Sequence, residues 1–512
     1  MGGRDARPAR TNEGGTMNRR LFCRSAIAAS VTAAWPAQRG LGSVFHALAK
    51  ITSDIPAIKL SGDETLLGKA AVNELSDSLR GQLLTRGDAG YDDARTLWNA
   101  MHDKHPALIA RCADIRDVST AVTFARENEL LLAVKGGGHS FPGKSVCEGG
   151  MMIDLAGMKT VRVDPDRRRA YAGGGALLYD LDKAALEHGL VTTAGVVSHT
   201  GVGGLTLGGG FGRLNRKYGL TIDNVVSAHM VTADGRVRRV SADEDPDLFW
   251  GIRGGGGNFG VVAEFEFALH PTTRKMLGGN VVWPVSKARD VLEFFAEYST
   301  GVSDEMYVAP FMVAPPGTEG MVGIDVLYCG DPAAGEKELA PLRSFGQPLE
   351  DGVTMVDYLE YQTQFDGATA HGQRNYIKNG MVGEFTPGLI DGMIEGFSLD
   401  PNTELFFHTA GGAVARVGDS ETAFPHRRAQ TMIGIATIWK DPAEDEQRIT
   451  ELRRRWALVE PHTGGFYPNL REEDTSRTQK NFGPNYDRLV AVKNAYDPGN
   501  LFRLNANVKP TV

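Results

Sequence analysis

A single histidine behind three consecutive glycines marks where this chain could do chemistry. In Lys135-Gly136-Gly137-Gly138-His139-Ser140 the imidazole follows directly on the apolar run 130–134. Glycine adopts backbone angles that side chains forbid and lets another molecule approach the main chain closely. A strand that breaks into three glycines therefore reads as a loop wrapped around a ligand. A second glycine-rich stretch spans residues 201–212, with Gly201, Gly203, Gly204, Thr206, Gly208, Gly209, Gly210 and Gly212, and a third spans 251–260. Three such loops point to a long ligand with phosphates, because only bare amides surround a pyrophosphate at contact distance. On these residues alone His139 is either a hydrogen-bonding histidine in a turn or a point of attachment.

The elements that must hold these loops are readable in outline. Residues 108–134 read as strand, helix, strand, with helical spacing over 117–126 and Asp114 or Asp117 near the helix start. Residues 225–240 read as a hairpin turning at Ala233-Asp234-Gly235, and 261–269 alternate as a strand ended by His270-Pro271. From about residue 272 the character changes. Long helices (288–298, 443–459) alternate with apolar strands (321–329, 405–417, 431–439), the pattern of an antiparallel sheet backed by helices. The fold class expected is α+β, in two lobes.

The ordered series of segments resembles the berberine-bridge-enzyme-like branch of the covalent flavin oxidases, with an FAD-binding domain of the PCMH type. The series runs through Tyr91-Asp92-Asp93-Ala94-Arg95, Trp98-Asn99 and the loop 135–140. It continues through residues 201–212, 216–220, Asp223-Asn224 and 247–254, then Tyr467-Pro468-Asn469, 485–489, 496–500 and Asn505-Ala506-Asn507. It covers nearly everything after about residue 85. The division it implies is a leader over 1–49, the FAD domain over 85–271, a substrate domain over 272–455, and a segment over 456–512 that returns to the FAD domain.

The resemblance implies FAD bonded covalently through His139. Gly136, Gly137, Gly138, Ser140 and the glycines of 201–212 would supply amides to the cofactor, Val262 would lie near the adenine, and Asn505 and Asn507 near the flavin ring. Val197 stands where bicovalent members carry a cysteine, so a single bond is expected. Val197, Ser198 and Thr200 with Leu205 are similar to a bacterial subgroup with an oxygen pocket and flavin-N5-oxide chemistry; a Thr hydroxyl can bond a reduced oxygen species while Val and Leu keep water out. Tyr467 sits where the family presents a tyrosine over the flavin, able to accept a substrate proton if a nearby charge lowers its pKa. Asn469 would orient it. His199 and His408 are further acid–base candidates.

Composition narrows the rest. A net charge of −8 argues against a nucleic-acid partner. No apolar run is long enough to span a bilayer. The four cysteines lack metal spacing, and no zinc or other metal site is expected. Arg19-Arg20 before Phe22, followed by a mild apolar run over 25–34, reads as a twin-arginine export signal, cleaved after Ala37 or Ala49. The partners expected are a small organic substrate, dioxygen and, during export, the twin-arginine translocase. The leading reading is an exported FAD-dependent oxidase. A dehydrogenase of the same fold stays open, because Thr200 replaces the usual valine at the oxygen-facing position. A non-catalytic flavin carrier is the third reading.

Overall fold

The computed structural model describes residues 50–470 and 477–512, and the leader reading falls outside them. A short mixed sheet carries the histidine loop. Its strands run in the order Gln82–Leu84, Leu108–Arg111, Met151–Asp154, Leu132–Lys135, with the last three parallel. The helix Ile115–Glu127 crosses between the parallel strands and is capped by the Asp114 carboxylate, which accepts from the amides of Arg116 and Asp117. Asp117, the other expected cap, is buried and accepts instead from the amides of Arg80, Gly81 and Ala113. It fixes the approach to the first strand.

A five-stranded antiparallel sheet follows, ordered Val237–Ser241, Val225–Val231, Val261–Ala268, Arg169–Gly173, Val161–Asp164. The expected hairpin is its first pair, turning at residues 233–235.

The second lobe is an eight-stranded antiparallel sheet. Lys275–Pro284, Met321–Tyr328, Met306–Val313, Thr403–Thr409, Thr431–Trp439 and Arg374–Val382 lie side by side in that order. The helices Ala288–Gly301, Pro387–Gly396 and Asp445–Val459 cover one face, where Phe295, Leu389 and Trp456 join Leu405, Phe407 and Ile433 in one apolar core. The expected strand 405–417 is shorter than its apolar run. It stops at Thr409, and Gly411 and Gly412, at φ +85° and +51°, turn the chain into the helix Gly412–Arg416.

The chain then returns to the first lobe. The helix Tyr486–Tyr496 packs Leu489 and Val492 against Leu248, Phe249 and Phe259. Lys493, fully buried, bonds Asp497 and the carbonyls of Asn258 and Phe502. Asn258 itself bonds Ala506 and Val508, which stitches the C-terminal strand of chain to the third glycine loop.

Candidate functional site

The strand Leu132–Lys135 delivers the histidine loop. Gly138, at φ +70°, turns the chain so that the imidazole of His139 stacks on Trp98, ring centres 4.2 Å apart. Burial, reinforced by His199 and His371, holds the imidazole neutral, with its pKa pushed down to about 3. Its Nε2 is buried and meets no partner among the described residues. The amides of Gly137, Gly138, His139 and Ser140 donate to no acceptor among the described residues. The loop is pressed against the second glycine stretch: a Cβ on Gly137 would lie 2.5 Å from Gly201 Cα.

In the second stretch most glycines serve close packing. Residues Val202–Leu207 form a helix, in which Thr206 donates its hydroxyl to the Val202 carbonyl. A Cβ on Gly203 would meet the Gly174 carbonyl, and one on Gly212 the Ala194 carbonyl at 1.6 Å. Gly208 leaves room for the Asn469 amide, and Gly204 faces open space. Gly209 and Gly210, at φ +129° and +83°, reverse the chain beneath Tyr467. The third stretch departs from the expectation of a phosphate cradle. The amides of Gly254 and Gly256 both donate to the Leu207 carbonyl, so this loop closes on the second one.

Tyr467 is buried at this junction. Its hydroxyl accepts from the Gly210 amide at 3.0 Å and from Asn469 Nδ2 at 2.9 Å, and Asn469 also donates to the Leu205 carbonyl. Asn379, on the sheet of the second lobe, pairs with the Tyr467 amide. Asn469 and the phenol are thus joined by a hydrogen bond. No charged group acts on the phenol, however. Burial dominates and pushes its pKa up to about 12, with the donors of Gly210, Asn469 and the Phe211 backbone opposing. The lowering by a nearby charge that the sequence suggested is absent among the described residues.

Residues 195–200 lie beneath a strap formed by 362–373, which sequence reasoning missed. Ser198 donates its amide and hydroxyl to the Asp366 carboxylate at 3.0 and 2.6 Å. That hydroxyl is thus committed, and Thr200, half-buried beside Val197, is the one remaining in the segment. His199 bonds Thr369 at 3.3 Å and lies 5.0 Å from His139 and 5.1 Å from the exposed His371. Three histidines so run from the surface to the glycine loop. Gln362 anchors the strap by donating to the Gly195 carbonyl and accepting from the buried Arg213, which also pairs with Asp325 at 3.0 Å. None of these contacts has a local sequence signal, since His139 and His199 are 60 residues apart and the other partners more than a hundred.

His408 does not join the His199 group and lies instead between Phe211 and Phe406. Its ring stacks on Phe211, and burial with the Arg213 charge pushes its pKa down to about 4, so the imidazole is neutral.

The family models agree with this layout. One described as an FAD binding domain matches residues 106–241, and one described as berberine and berberine like matches 466–509. An FAD-linked oxidoreductase of Dictyostelium discoideum is 31% identical over 86% of this chain and 97% of its own. Chitooligosaccharide oxidase of Gibberella zeae is 30% identical over 86% of this chain and 95% of its own. The chain belongs to the berberine-bridge-like FAD-linked oxidoreductases. The solved structure of 6-hydroxy-D-nicotine oxidase from Arthrobacter nicotinovorans superposes with a TM-score of 0.77 at 31% identity, covering 84% of this chain and 98% of that one.

For an FAD-linked oxidoreductase the residues present fit the cofactor. The four amides of 137–140 are available to an anion. The amide oxygens of Asn505 and Asn507 are buried without a donor among the described residues, as the polar edge of a flavin would require. Lys144 reaches the same segment, donating to the Asn505 carbonyl at 2.8 Å. Val262 is buried in the five-stranded sheet, and its carbonyl touches the position a Cβ on Gly174 would take, beside the first loop.

Proposed function

We propose that this flavoenzyme is an oxidase whose FAD is bonded to His139 and which takes a hydride from an alcohol or activated C–H of an organic substrate, with dioxygen as the final acceptor. The His139 loop carries the reading: a buried neutral imidazole with an unpartnered nitrogen, beside four amides free of internal acceptors. Bound FAD supplies the two-electron acceptor. Val197 provides no second attachment point, so the link is single.

Tyr467 keeps its proton at neutral pH, because burial holds the phenol far above that range. It therefore enters as a hydrogen-bond donor to the reacting oxygen or nitrogen of the substrate, with its lone pairs already filled by Gly210 and Asn469. His408, neutral and with an unpartnered Nδ1, is the group across Phe211 able to accept the substrate proton. The test is turnover of candidate substrates by the purified yellow protein while oxygen uptake is followed. Bleaching of the flavin without oxygen uptake would favour the dehydrogenase.

Thr200 separates these two readings. Thr200→Val keeps the shape and removes the one uncommitted hydroxyl of the segment. Reduction by substrate should stay normal, while reoxidation in oxygenated buffer and the resting absorption spectrum should change. Stopped-flow traces and spectra identical to those of the unaltered protein would leave this hydroxyl without a role in oxygen handling.

We further propose export by the twin-arginine route, on the strength of Arg19-Arg20 ahead of Phe22. Replacing both arginines by lysine should trap the protein in the cytoplasm. Fractionation showing unchanged export would refute this.

A further inference from the structure

Glu404, Phe406 and His408 alternate along the strand Thr403–Thr409, and all three are partly buried, whereas Leu405 and Phe407 between them are fully buried against the helices. The stacking of His408 on Phe211 shows that this face is turned to the cofactor lobe. Phe311 lies directly across from Phe406 on the neighbouring strand and is partly buried as well. Both rings lie flat on the sheet. A Cβ on Gly434 would be 2.5 Å from Phe406 Cζ, and one on Gly323 would be 2.2 Å from Phe311 Cζ. Two glycines thus make room for an aromatic floor.

At the edge of this floor stands Glu404. Across the sheet from it are Ala436 and then Ile377, which offer a carboxylate nothing. Burial alone sets its acidity, pushing its pKa up to about 7, with no cation or hydrogen-bond donor among the described residues acting on it. Keeping such a carboxyl unpaired is costly, and that cost is relieved when a cation arrives. A carboxylate beside flat aromatic faces is the combination that recognises an organic ammonium group.

We infer that Glu404 is the substrate-selecting residue of this sheet face, and that the substrate carries a protonated amine next to a planar group held over Phe311 and Phe406. This rests on the flavin oxidase reading above and names the substrate class for the same site.

The test uses the yellow holoprotein, benzylamine and benzyl alcohol. Each is titrated anaerobically while flavin absorbance is followed. Benzylamine should bind roughly tenfold tighter than the alcohol, the range of a charge-assisted contact in a partly desolvated site. Glu404→Gln keeps the shape and should bring the two within about twofold. If E404Q does not retain flavin, Phe406→Leu carries the test, with amine binding expected to weaken by about twofold to fivefold. Equal binding of the two probes, a preference that survives in E404Q, or no spectral response to benzylamine overturns the inference. Reoxidation of dithionite-reduced protein by dioxygen is measured on the same preparation. Sluggish reoxidation with the amine preference intact counts against the oxidase reading alone.

Discussion

Protein carrying His139→Ala should give a colourless pellet on acid precipitation, with its flavin in the supernatant, while the unaltered protein keeps a yellow pellet. The effect is all or none because acid unfolds the chain and only a covalent bond survives that. The His139 ring is clamped on Trp98, its Nε2 has no partner among the described residues, and burial keeps the nitrogen lone pair unprotonated. Truncation leaves a gap beside Trp98 and costs some stability, but the free amides of the loop stay in place, so non-covalent flavin should still load. Cys147→Ala serves as the control. Cys147 is buried, its thiol donates to the Met151 carbonyl and burial pushes its pKa up to about 12, so its removal should leave colour retention unchanged. A yellow acid pellet from the His139 variant would end the attachment proposal.

Tyr467→Phe should slow anaerobic flavin reduction by about a hundredfold to ten-thousandfold, the span expected when a positioned proton-transfer or donor group is lost. The substitution changes little volume. It does remove the acceptor for the Gly210 amide and for Asn469 Nδ2, and stranding buried donors costs about 1–3 kcal/mol. Flavin content and melting temperature must therefore be measured alongside the rate. The pH profile adds a second readout. With the phenol held up at about 12, the unaltered enzyme should show no rate step near pH 10 that vanishes in the phenylalanine variant. Reduction at the unaltered rate would remove Tyr467 from the reaction and leave His408, neutral across Phe211, as the group to examine.

Local patterns carried much of the architecture. The strand–helix–strand unit, the hairpin at 233–235 and the helices 288–301 and 445–459 follow from apolar spacing and turn residues, which act over a few positions. The loop 135–140 was legible for the same reason: consecutive glycines after an apolar run constrain the backbone locally. The strand expected over 405–417 was too long, because apolar residues continue past two glycines whose positive φ angles end it.

What the glycines do was a different matter. Composition cannot distinguish a glycine that offers its amide to a ligand from one that admits a neighbour. Gly137 and Gly201 meet each other, Gly208 admits Asn469, and the amides of Gly254 and Gly256 turn to Leu207. The charge state of Tyr467 was equally out of reach, since it depends on burial and on an amide 257 residues earlier. The strap 362–373, with Asp366 on Ser198 and His371 beside His199, joins segments some 170 residues apart. Glu404 is an ordinary acidic residue in the sequence. Sheet register alone places it among apolar side chains at the end of an aromatic floor. Spacing along a chain encodes contacts a few residues away, whereas these pairings join segments tens to hundreds of residues apart and exist only in the folded protein.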